Sequence, residues 1–387
     1  MNEEYEPRFF QSREQDQVKV LIKDRKICEV IDNFSEELEN LFRINFPFIT
    51  PATPEYGATL QKFLGRYLDG KKETEAGVWA YYPWRQILVH LPESADFLKL
   101  RTSRNKFLIN NEEQQKFYNS KIGVAGLSVG LAAVNSLVLS GGGGQMRIAD
   151  FDNLSITNLN RLHSSVCDLS RSKAVIAARK VYEINPFQIL EVFQDGITTK
   201  NISKFFGTES NKLDIFIEEI DDIKLKIDTR IWARKLKVPV VMATDNGDNA
   251  MIDVERFDLE PNRKLFHSRI EESRLLSIGE KLNMTERIKL ASAIVGADIT
   301  PRTRMSLTMV GTKLPAWPQL GNAATLSGVA VSYISRRILT GLSMPSGRYE
   351  VSLDEKFDPS YFESSSVRDR EIDRKEFIFT LNKIFGS

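Results

Sequence analysis

The stretch Lys121 to Gly130, KIGVAGLSVG, constrains this chain more than any other. It is a short apolar strand that runs into glycines, and the apolar helix pattern VGLAAVNSLVLSG begins inside it. A strand that turns on glycine into an apolar helix opens a βαβ unit, and such units build parallel sheets. The pattern then repeats. QMRIAD reads as the next strand, SRSKAVIAARKVYEIN as a helix that stops before Pro186, and ILEVFQ, LDIFIEEI and VPVVMAT as further strands. Ahead of the glycines, NNEEQQKF is helix-prone, with Asn110 or Asn111 as its cap. Gly141–Gly144 close the apolar helix, where left-handed residues suit a helix end. This alternation predicts an α/β fold: a Rossmann-like, mostly parallel sheet with helices on both faces.

The flanks differ in texture. Residues 1–100 read as an N-terminal α+β accessory region. It has a helix from Phe34 to Phe42, a proline-broken stretch from Phe46 to Tyr56, and strands within Val78 to Leu91 interrupted at Pro83. The core is expected over 101–257, a charged helical insertion or subdomain over 258–316, and the end of the core over 317–356. The last of these holds the small-residue helix in WPQLGNAATLSGVAVSYISRRILTG and a returning strand in SGRYEVSLDE. Residues 357–387 read as a polar, loosely ordered tail ending in a short helix.

Several function classes are disfavoured. With 53 basic and 52 acidic residues, the formal net charge of +1 gives no electrostatic case for nucleic acid or a membrane surface. No run of 18 apolar residues exists, so no membrane span is expected, and MNEEYEPRFFQSREQ is unlike a signal peptide. Cys28 and Cys167 are the only cysteines, which gives neither a disulfide framework nor zinc spacing and fits a reduced cytoplasm. His90, His163 and His267 show no metal spacing and read as packing or surface residues, and Trp79, Trp84 and Trp317 read as core.

The glycines Gly123, Gly126 and Gly130, with Ser128 between them, suit a phosphate site. Glycine lets backbone approach phosphate, and a helix N-terminus offers unpaired N–H groups with partial positive charge. GVAGLSVG is not a clean GxGxxG, so a ligand-free turn competes with this reading. Asp150 lies 20 residues after Gly130, at the end of the second strand, where a ribose hydroxyl pair needs an acceptor. Asp150 alone would serve NAD(P) equally well. The chain continues ADFDNLSITNLNR, which puts Asp152, Asn158 and Arg161 in one loop. An arginine that forks onto phosphate oxygens suits a triphosphate and has no task in a dehydrogenase.

Here the chain resembles the family of ubiquitin-activating enzymes, ThiF and MoeB, whose DFD…SNLNR signature DFDNLSITNLNR matches nearly residue for residue. The resemblance runs from about Leu100 to Leu353. With YYPW ahead of the core and GLSVG in the turn, the layout is similar to bacterial ThiF-type proteins with an extra N-terminal region. It implies ATP-dependent adenylyl transfer: a carboxylate attacks the α-phosphate, pyrophosphate leaves, and an acyl-AMP forms. It further implies ribose binding by Asp150, phosphate contacts from Asn158 and Arg161, and a phosphate lysine matched by Lys173 in RSKAV. Asp221 in IEEIDD matches the magnesium aspartate. Arg104 in SRNKF is the counterpart of an arginine that reaches the ATP of the other subunit, although Asn105 stands where the family has Gln and its Tyr is absent. The implied cofactors are ATP and Mg2+, the implied acyl donor is a ubiquitin-like protein or precursor peptide, and the implied assembly is a homodimer. The family does not place its acyl-accepting cysteine in the loop that holds Cys167, and the spacing of Cys28 suits a buried strand position, so neither is expected to carry a thioester. An NAD(P)-binding oxidoreductase and an inactive nucleotide-binding scaffold, favoured by the altered glycine turn, are the alternatives.

Overall fold

The computed structural model describes residues 4–279 and 282–385. The chain divides into two compact units: one of residues 1–115, 138–141 and 178–188, the other of 116–137, 142–177 and 189–387.

The first unit is built on a four-stranded sheet of β1 (Arg8–Phe10), β2 (Glu29–Ile31), β3 (Val78–Tyr82) and β4 (Ile87–Leu91), in the order β1-β3-β4-β2. Strands β3 and β4 are the expected pair, broken at the turn that holds Pro83. The helix Phe34–Asn45 buries Phe34, Leu38, Leu41 and Phe42 on one face, the i, i+4, i+7, i+8 spacing of an amphipathic helix. His90 lies between the rings of Phe34 and Trp79, with centroids 4.0 and 4.1 Å away. Its nitrogens face Asp32 Oδ1 at 2.8 Å and the Ala76 carbonyl at 2.7 Å, so this histidine is a packing residue. Cys28 departs from expectation. It is exposed and precedes β2, because the strand there is only three residues long and all three are exposed.

The second unit carries a seven-stranded sheet: β5 (Lys121–Ala125), β6 (Gln145–Ala149), β7 (Ile189–Phe193), β8 (Ile215–Glu218), β9 (Val240–Asn246), β10 (Asn249–Glu255) and β11 (Gly347–Val351). The order is β11-β10-β9-β8-β5-β6-β7, with β7 through β9 parallel and β10 and β11 antiparallel. It is the expected mixed α/β architecture, a largely parallel sheet flanked by helices. Counted outward from β5, the order reverses between β5 and β8, and open α/β sheets bind ligands at that kind of switch point. Asn110 caps the helix Asn111–Asn119 reciprocally with Glu113, as the sequence indicated. The helix Gly321–Leu339 packs so closely that a Cβ at Gly328 would overlap Ala132.

Two elements differ from expectation. Strand β10, NAMIDVE, is a central strand, and its polar residues hid it. The tail forms a 22-residue helix, Ser364–Phe385, in place of a loose segment ending in a short helix. It packs Phe377 and Leu381 against Met251, Val295 and Ile299, and Arg304 of the insertion helix Pro301–Met309 donates to its Asp373 at 2.6 Å. Among the described residues no helix is long and apolar enough to cross a membrane.

Candidate active site

The glycine turn is held by what surrounds it. Gly126 has φ +86, and a Cβ there would overlap the Glu219 carbonyl oxygen, so the backbones beyond β5 and β8 meet where a side chain does not fit. The Gly126 N–H donates to the Ala149 carbonyl at 2.9 Å. Asp150 locks the turn from β6: its Oδ2 accepts from the Leu127 N–H at 2.6 Å and its Oδ1 from the Asp152 N–H at 2.8 Å. Each oxygen keeps a lone pair for a further donor. Burial pushes the Asp150 carboxyl up, against the opposing pull of Lys173 and the two N–H groups.

Gly126, Ser128, Asp150, Asp152, Lys173, Glu219 and Asp221 line one small cavity at the ends of β5, β6 and β8. Lys173 opens the helix Lys173–Ile184. Its buried Nζ reaches Asp152 Oδ2 at 2.8 Å. Ser128 sits two residues before the helix Gly130–Leu139, and its buried Oγ has no hydrogen-bond partner among the described residues. Gly130 starts that helix without lining the cavity. The Asp221 carboxylate is exposed and pairs with nothing among the described residues, whereas Asp222 caps the helix Ile223–Leu236 through Leu225 N at 2.8 Å.

A second, larger cavity of about 380 Å3 shares Ser128, Glu219 and Asp221 with the first and adds Arg161 and Asp245. Arg161 donates to Thr157 O at 3.1 Å and Asn160 Oδ1 at 2.9 Å, while its Nε is buried without a partner. Burial raises the Asp245 carboxyl against bonds from Ser327 and Gln319 and the charge of Arg161.

The other site residues named from the sequence lie elsewhere. Asn158 lines neither cavity, and its Oδ1 accepts from the Ser155 N–H at 3.0 Å inside its own loop. Arg104 is in the first unit, in the turn Ser103–Asn105. Cys167 is exposed and lines neither cavity. Among the described residues no group of three or more His, Cys, Asp or Glu is placed to hold a metal. Sequence reasoning missed Glu219 and Asp245. The signal was there: acids at the ends of the apolar runs LDIFIEE and VVMATD.

The chain is similar to known proteins at several levels. It is 32% identical over 353 residues to a Mycobacterium tuberculosis protein bearing the name uncharacterized protein MT1398, covering 89% of this chain and 45% of that one. It is 28% identical over 148 residues to the tRNA threonylcarbamoyladenosine dehydratase of Escherichia coli, covering 38% of this chain and 53% of that one. The chain thus spans about half the length of these two relatives. Among solved structures, Escherichia coli MccB with MccA-N7isoASN aligns at TM-score 0.48 and 14% identity, covering 82% and 85% of the two chains. Residues 102–268, which hold the glycine turn, the DFDNLSITNLNR loop and strands β5 through β10, match the ThiF family, and the chain carries a ThiF family domain.

Proposed function

We propose that this protein is an ATP-dependent adenylyltransferase that converts a carboxylate to an acyl-AMP and releases pyrophosphate. The observation that carries this reading is the convergence of Asp150, Ser128, Lys173 and Asp221 on the glycine turn at the switch point of the sheet. Asp150 has acceptor capacity left for ribose hydroxyls. The unpartnered Ser128 hydroxyl and the N–H groups opening the helix at Gly130 suit phosphate oxygens. Lys173 and Arg161 supply positive charge, with Asp152 holding the Lys173 ammonium until phosphate competes for it. Asp221 suits magnesium, which takes one or two carboxylates together with substrate phosphates, so a lone unpaired carboxylate is compatible with it. A bound magnesium ion would shield charge on the leaving pyrophosphate. In the reaction a carboxylate oxygen forms a bond to the α-phosphorus, and the bond from that phosphorus to the pyrophosphate oxygen breaks. No general base is required, because the carboxylate is ionised at neutral pH.

For the donor we favour a peptide or protein C-terminus, in the form of a precursor peptide or a ubiquitin-like protein, handled in the cytoplasm. Relatives named for tRNA threonylcarbamoyladenosine dehydration support a tRNA-borne carboxylate as a second reading, but the balanced charge of this chain speaks against a polyanion. Residues 1–100 then serve as an accessory region. Calorimetry with ATP·Mg2+ and with NAD tests the nucleotide. Arg161→Ala and Lys173→Ala are each expected to weaken ATP binding by about 1.5–3 kcal/mol, the range for charge-assisted bonds. Unchanged ATP affinity in both variants, or saturable NAD binding in its place, sinks the reading.

The same reading makes the protein a homodimer in which Arg104 serves the partner's nucleotide. Mixing Arg104→Ala chains with Asp150→Ala chains is expected to restore part of the AMP formation each lacks alone. A fully active monomer in light scattering rules this assembly out.

A further inference from the structure

The larger cavity beside the glycine turn runs from Ser128, Arg161 and Asp221, the residues assigned above to phosphate and magnesium, to apolar residues that no phosphate contact uses. We infer that it seats a large apolar side chain on the very residue whose carboxylate is activated, so that the acyl donor does not end in glycine. This rests on the adenylyltransferase reading and narrows its substrate class to a precursor peptide, setting aside a ubiquitin-like protein that ends in glycine.

Three observations point there. The cavity measures about 380 Å3 and shares Ser128, Glu219, Ile220 and Asp221 with the nucleotide-side cavity, so its occupant lies next to the reacting phosphate. Part of its wall is apolar: Met242 from β9, Ala291, Ile294 and Val295 from the helix Met284–Val295, and Trp317. At the mouth, the Ser128 Oγ and the Arg161 Nε are buried without partners among the described residues, and where the carboxylate meets the α-phosphate they suit the oxygens of the acyl phosphate that forms. A donor ending in glycine would satisfy the mouth and leave the apolar wall uncovered. A leucine or phenylalanine would cover it, and burial of that side chain supplies the discrimination.

The test uses the full chain and three stable mimics of an acyl-AMP: the N-acetyl-glycyl, N-acetyl-leucyl and N-acetyl-phenylalanyl sulfamoyladenosines, with AMP as the reference. Calorimetry on the wild type is expected to show leucyl or phenylalanyl binding at least ~10-fold tighter than glycyl, about 1.4 kcal/mol. Ala291→Phe, which fills the slot, is expected to bring leucyl down to the glycyl level and to leave AMP and glycyl within about twofold. Trp317→Ala, at a partly exposed position, is expected to erase the preference and serves should Ala291→Phe not fold. Glycyl binding as tightly as the other two in the wild type overturns the inference while leaving adenylyl transfer standing. So does a Trp317→Ala protein that keeps the full preference. Loss of AMP binding in a folded Ala291→Phe protein overturns it as well, since the cavity would then hold the nucleotide. Failure of AMP and of all three mimics to bind the wild type removes the adenylyltransferase reading and this inference together.

Discussion

Glu219 stands where the two cavities meet, and its Oε1 accepts from the Ala243 N–H at 2.8 Å. Burial pushes this carboxyl well above its ordinary value, and the neighbouring charges of Glu218 and Asp245 push the same way. Its folded pKa therefore lies above its unfolded one. Between those two values the native state holds more protons than the unfolded state, so stability falls as pH rises through that window. Glu219→Gln keeps an acceptor for Ala243 and cannot ionise. The variant is expected to gain stability over wild type on going from pH 4 to pH 8, by on the order of 1 kcal/mol. Urea denaturation at the two pH values measures it, and a difference that stays constant with pH would show that Glu219 does not titrate this way. A neutral Glu219 also opposes a bound phosphate less than an ionised one.

At the level of elements, the parallel half of the sheet was legible because β5 through β9 are apolar runs separated by helices and glycines. Strand β10 was not. All seven of its residues are buried, yet Asn249, Asp253 and Glu255 make it read as a polar loop. Their partners lie far away in sequence. Arg348 donates to Asp253 at 2.6 and 2.7 Å, and together with His267 it holds that carboxyl at about 2 against the upward push of burial. Arg230 from the helix Ile223–Leu236 donates to Glu255 at 2.7 Å and also bonds Glu218 of β8. Residue types alone do not reveal that a buried acid has a buried base waiting for it. The site shows the same division. Asp150, Lys173 and the glycine turn are local to one βαβ unit and could be named in advance, whereas Asp245 acquires its place only through Ser327 and Gln319. The Arg230 network makes a prediction. Removing one member of a buried ionic group leaves the others uncompensated, so Arg230→Met is expected to cost about 3–5 kcal/mol. A loss below about 1 kcal/mol in urea denaturation would mean that Glu218 and Glu255 find other partners.

For the molecule as a whole, the open matter is what residues 1–100 are for. An accessory region of this kind can dock the acyl donor or support the fold, and the packing of its residues favours support. The first unit is not confined to the N-terminus. It also includes residues 178–188, the end of the helix that Lys173 begins. Phe187 stacks on Phe9 with centroids 5.3 Å apart and meets Phe97 edge-on at 5.4 Å. Trp84 Nε1 donates to Glu183 at 2.6 Å, and Arg85 reaches the same carboxylate at 2.9 Å. The Tyr82 hydroxyl donates to the Tyr182 carbonyl at 3.3 Å. The exposed Arg85 pair adds little, but each aromatic pair is worth about 0.5–1.5 kcal/mol beyond its buried area. Deleting residues 1–100 therefore exposes Phe187 and strips Glu183 and Tyr182 of these partners. The expected result is insoluble protein, or a melting temperature lowered by more than about 5 °C, a shift that corresponds to roughly 4 kcal/mol in a chain of this size. Circular dichroism melts and calorimetry with ATP on the truncated chain decide the matter. A soluble truncation that melts like the full chain, binds ATP normally and loses only donor-dependent AMP formation would return these residues to a docking role.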